Sequence, residues 1–178
     1  LGDVYKRQGY YAELLTLYQV SPVASQDFCA LLGRDYSVLV DLDEYVPLGA
    51  DNCATLGPPV YQLDGFQIIV PEETLGAARW LAWTDLVNSA TWILVVVVLE
   101  IEVRMQLHGK LTDAFMQGTR LFKYLLYTTL FAAALYWGYA GDFIDVWDAS
   151  LWLFAFIFIE LNVFEWQYET THAEPAPA

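Results

Sequence analysis

From about Trp80 to Val103 the chain is apolar almost without interruption. Its centre, WILVVVVL, would be apolar around the whole circumference of a helix. A membrane-crossing helix needs ~20 mostly apolar residues. Two further segments reach that length: about Leu121 to Tyr139, and about Phe143 to Trp166 with LWLFAFIFI at its centre. The fold class this predicts is membrane α-helical: a polytopic helix bundle with three spans in this sequence and four in the intact protein. Trp80, Trp83, Tyr136, Trp137, Tyr139, Trp147, Trp166 and Tyr168 fall near the expected span ends, where interfacial aromatics gather. A short soluble chain has too little polar sequence to cover three such helices.

The charge balance narrows the function. The 178 residues carry 22 acids against 8 Lys and Arg, a formal net charge of −14, yet 57% of them are hydrophobic. A disordered acidic chain lacks aliphatic and aromatic residues. A nucleic-acid binder needs a basic surface to displace phosphate counterions. Both classes are excluded. The bases cluster instead at Arg104, Lys110, Arg120 and Lys123, between the first two expected spans. By the positive-inside rule that 104–123 loop is cytoplasmic. Residues 9–79 then lie outside, and the C-terminus lies inside. The compact layout reads as a bacterial inner-membrane protein with the lipid bilayer as its surroundings.

The two ends stand apart from this scheme. Residues 1–8, LGDVYKRQ, resemble translated sequencing-adapter sequence. They are expected to be non-native, with an upstream segment missing. Residues 169–178 end in EPAPA and read as a disordered cytoplasmic tail.

Residues 9–79 hold ten acids and two bases and read as a small acidic α+β domain. YAELLTLYQV has the spacing of a short amphipathic helix. Ser25 precedes QDFCALLG, which reads as a capped helix ending at Gly33. YSVLVDL is a strand candidate. VYQL-DG-FQIIV is a hairpin pattern, with Asp64-Gly65 supplying the two positive-φ residues of a tight turn. Cys29 and Cys53 are the only cysteines. In an oxidising compartment they would pair, contributing on the order of 3 kcal/mol to a thin-cored domain. Asp41, Asp43, Glu44 and Asp51 invite a Ca²⁺ reading, but lack the Gly and terminal Glu of a calcium loop. A solvated acidic face with no metal is the expectation.

Sliding the chain by 60 residues aligns Asp85 with Asp145, Asn88 with Asp148, Trp92 with Trp152 and Glu100 with Glu160. This reads as an internal repeat of the first and third spans. At 1.5 Å per residue, each Glu lies roughly 22 Å along the helix from its Asp. Carboxylates there need partners. Arg104 is one turn from Glu100, whereas Glu160 should meet Lys123, Arg120 or Arg104 across the bundle, or else be protonated. Glu100, Arg104, Lys123, Glu160 and Arg120 are therefore the expected intramembrane polar network.

No HExxH, CxxC, GxSxG or P-loop occurs, so the usual catalytic and cofactor constellations are missing. The expectation is a non-enzymatic scaffold or accessory subunit, without cofactor. It would engage a protein partner, or a second copy of itself, within the membrane. The alternative is a small proton- or cation-conducting protein that uses Glu100 and Glu160.

Overall fold

The computed structural model describes residues 10–24, 27–42, 44–109 and 112–172. The expectations placed on residues 1–8, Ser25, Asp43 and Lys110 lie outside them, as do those on residues 173–178 and on the Tyr168 side chain. The fold is a small α+β arrangement with, among the described residues, four α-helices and one five-stranded sheet. Contacts divide the chain between Leu86 and Val87 into two compact units.

The first unit opens with helix α1 (Tyr10–Tyr18) and strand β1 (Val20–Pro22). A short 3-10 turn (Phe28–Leu31) follows, with Asp27 as its cap: the carboxylate accepts the Cys29 N–H at 3.0 Å. Strands β2 (Ser37–Leu39), β3 (Tyr45–Pro47), β4 (Val60–Leu63) and β5 (Ile68–Pro71) complete the sheet. The spatial order is β1-β4-β5-β2-β3, antiparallel except for the β2–β5 pair. The β4–β5 hairpin forms as expected and sets Tyr61 against Val70, but its connection runs over residues 64–67, and of the Asp64-Gly65 pair Gly65 alone has a positive φ, 82°, which suits a residue without a Cβ.

Strand alternation divides the core between the two sheet faces. Leu39, Leu63 and Val70 pack with Leu14 and Leu17 of α1 and with Leu75, Ala78 and Ala82 of the next helix. Val38, Val60 and Ile69 point the other way, toward Phe28 and Leu56. The Cys29–Cys53 disulfide forms as expected and ties the 3-10 turn to the loop after β3.

Helix α2 (Glu72–Leu107) starts directly after β5. Pro71 ends the strand, and Glu72 and Glu73 place negative charge at the positive end of the helix dipole. Gly109, at φ 62°, follows its C-terminus. Helix α3 (Asp113–Ala140) is capped by Thr112, which accepts the Phe115 N–H at 3.4 Å. Gly141, left-handed at φ 94°, ends α3 and turns the chain into α4 (Phe143–His172). Helix α4 runs past residue 169, where the sequence predicts a disordered tail.

These helices correct the expected fold class. Among the described residues, one helix, α2, is long and apolar enough to cross a membrane, so the chain is not a polytopic bundle of three spans. Helix α3 has the length, but its apolar residues are diluted by Arg120, Lys123, Thr128, Thr129 and four tyrosines. Helix α4 carries Asp145, Asp148, Glu160 and Glu165. The apolar centres read as lipid-facing include Leu126, Leu130 and Ala133, which are buried against protein.

Candidate functional site, a lysine buried between two glutamates

In the second unit the buried positions follow one periodicity. On α2 they are Thr91, Val95, Val98 and Glu102; on α3 they are Lys123, Leu126, Leu130, Ala133, Ala134 and Trp137. Spacings of three and four keep such residues on one helix face. Val95, Val98, Leu126 and Leu130 form the apolar centre, flanked by Trp92, Leu153 and Phe156. The Trp92 and Phe156 rings lie 4.8 Å apart. The seam then turns polar, because Glu102 and Lys123 occupy its next positions on α2 and α3.

Lys123 is 5% exposed and Glu102 is 5% exposed. The Lys123 Nζ donates to Glu102 Oε2 at 2.9 Å and also to Glu160 Oε1 on α4. Tyr127, one turn after Lys123, donates its phenol to Glu160 Oε2 at 3.2 Å. Three helices therefore meet at one ammonium. Burying any one of these charges alone would be costly; pairing and hydrogen bonding make the group tolerable. A cavity of about 180 Å³ adjoins it, lined by Arg120, Lys123, Tyr124, Tyr127, Ile157, Glu160 and Leu161.

The predicted network is thus divided. Lys123 and Glu160 meet, and Arg120 is exposed on the cavity wall. Glu100 and Arg104 pair with each other on the exposed side of α2 and do not join them. Asp85 and Asp145 are half-buried and Asp148 is exposed. Trp152 is exposed and stands 6.4 Å from Phe156. Asn88 Oδ1 is buried with no hydrogen-bond partner among the described residues. The offset of 60 residues therefore pairs an exposed Glu100 with a half-buried Glu160, and Glu160 meets Lys123 beside Glu102, not beside Glu100.

Glu102 and Tyr127 are the members the sequence reading missed. Glu102 was reachable, since it continues the Val95–Val98 spacing by a further four residues, whereas Glu100 breaks it. Among the described residues, no group of three or more His, Cys, Asp or Glu side chains could hold a metal ion. No protein-family model matches the chain, and no curated protein or solved structure matches it.

Proposed function

We propose that the protein is a membrane-anchored, non-enzymatic accessory or scaffold protein. Helix α2 is the anchor, and the outward apolar faces of α3 and α4 engage a partner protein. The observation that carries this is the apolar outer surface of the second unit. Lys123 and Glu102 are buried, while Phe131, Leu135, Phe154 and Phe158 are each more than half exposed. Water-soluble monomers seldom leave so many large apolar side chains uncovered on neighbouring helices. The disulfide supports an oxidising compartment for the first unit. Arg104, near the far end of α2, supports a cytoplasmic end for that helix in a bacterial inner membrane.

The test is alkaline carbonate extraction of membranes, followed by mass determination of the detergent-solubilised complex. The protein should stay with the membrane and run heavier than a monomer. Phe154→Ser with Phe158→Ser should leave it membrane-bound but monomeric. Release by carbonate, or a monomeric wild type, would overturn the reading.

One observation favours a second reading, conduction of protons or cations. The buried group holds two carboxylates to one ammonium and borders a cavity. Here Glu102 takes the place expected of Glu100. Flux through proteoliposomes that vanishes in a folded Glu160→Gln variant would favour conduction; no flux in the wild type would remove it.

A further inference from the structure

We propose that an exposed aromatic surface shared by α1 and α2 rests in the headgroup layer of a lipid bilayer. This deepens, and rests on, the reading of α2 as a membrane anchor. Tyr11, Leu15 and Tyr18 are 62%, 42% and 53% exposed. They stand at i, i+4 and i+7 of α1, so they form one stripe along the helix. Leu14 and Leu17 already seat α1 on the sheet. The helix therefore carries a second face of large apolar and aromatic side chains that stays exposed. Trp80 and Trp83, at 69% and 43% exposed, extend this surface onto α2.

Side-chain contacts join the two helices into one surface. The Trp83 indole N–H donates to the Tyr18 hydroxyl at 3.2 Å. The Arg79 guanidinium lies 4.6 Å from the centre of the Tyr18 ring, and its Nε–H donates to the Leu17 carbonyl at 3.0 Å. The patch thus combines flat apolar rings, polar tips and one cation. Tyr and Trp gather at the level of lipid headgroups because each has an apolar body and a wet end. An Arg among them suits a lipid phosphate. From Thr74 to Thr84 the sequence has no acid, and Glu13 stands on the far side of α1 from the stripe. In an otherwise acidic unit this surface is the one matched to anionic headgroups.

The continuity of α2 argues for lipid over a protein occupant. Trp83 stands three residues before Leu86, where the uncharged run to Leu99 begins. An aromatic at the end of a membrane-entering run is where the headgroup layer would lie.

The experiment places an environment-sensitive fluorophore on a single introduced cysteine: Leu15→Cys, Leu94→Cys, or Val46→Cys on β3. Cys29 and Cys53 are held in their disulfide and do not label. Full-length protein is reconstituted in vesicles of phosphatidylcholine and phosphatidylglycerol. Quenchers are attached to lipids at shallow or deep positions, or dissolved as iodide. The proposal expects shallow quenching at residue 15, deep quenching at residue 94 and iodide quenching alone at residue 46. Deep quenching at 94 with iodide access at 15 overturns the headgroup proposal and keeps the anchor. Shallow quenching at 15 with none from lipid at 94 sinks the anchor and leaves headgroup contact standing. A residue 15 shielded from all three quenchers means that protein covers the patch, which also overturns the proposal.

Discussion

Ile69 and Lys123 are both buried, one in each unit, and their chemistry is opposite. Ile69 is fully buried in a sheet domain whose surface is acidic and whose interior is aliphatic. Lys123 is buried among three helices whose outer faces carry Phe, Leu, Ile and Trp. The first arrangement is what water selects: burying an aliphatic side chain stabilises by ~1.5–3 kcal/mol with no demand on its partners. The second depends on named partners. A buried ammonium is tolerable only while Glu102 and Glu160 face it. An apolar outer surface is stable only where something other than water covers it. The first unit is therefore robust to its surroundings and sensitive to packing volume. The second is sensitive to single charges and to what encloses it.

The sharpest way to break this contrast is Lys123→Met. Two carboxylates would be left buried without their counter-charge. Removing one partner of a buried pair costs ~3–5 kcal/mol, so unfolding followed by helix circular dichroism should shift by that amount. Adding Glu102→Gln and Glu160→Gln should recover most of it. A Lys123→Met variant as stable as wild type would mean that the buried charges do not hold the helices. The next effect belongs to the sheet unit. Cys29→Ser with Cys53→Ser frees the 3-10 turn from the loop after β3, and should lower stability by on the order of 3 kcal/mol. Chemical denaturation read by sheet signals should show the loss, with the helical signal of the second unit unchanged. Smaller still is Ile69→Val, which removes one methylene from a packed site and should cost ~1 kcal/mol. If Ile69→Val costs more than Lys123→Met, the comparison is inverted.

What the sequence made legible follows the range of the interactions. The β4–β5 hairpin is local, because Asp64-Gly65 bends the chain between two apolar runs. The disulfide was readable from there being one possible pair. The β2–β5 parallel pairing was not readable, since its strands are separated by the 40–67 stretch and nothing in either specifies the other. The number of membrane-crossing helices was misread for a related reason. Composition reports that a segment is apolar, but not whether lipid or protein covers it. Leu126 and Leu130 look like lipid-facing residues until α2 and α4 are placed beside them. The site fell between these cases. Lys123 and Glu160 were singled out, but alignment of the two apolar helices favoured Glu100 over Glu102. Helical periodicity, applied from Val95 onward, selects Glu102.

That choice can be tested within a single helix turn. Glu100 and Glu102 are two residues apart on α2 and differ mainly in what surrounds them. The Glu100–Arg104 pair is exposed, at 57% and 72% of its side chains, and spans one turn. Such pairs contribute ~0.3–0.5 kcal/mol in water, and salt screens them further. Glu100→Gln should therefore change stability by no more than about 0.5 kcal/mol, and the difference should fade in high salt. Glu102→Gln keeps the shape and an acceptor oxygen for Lys123, but removes the charge from a 5% exposed site. Hydrogen bonds to charged groups contribute ~1.5–3 kcal/mol, so its effect should be several times larger and indifferent to salt. Thermal melts of both variants at low and high ionic strength read the two differences directly. Equal and salt-dependent effects would place Glu102 on the surface, and the buried lysine site would lose its first partner.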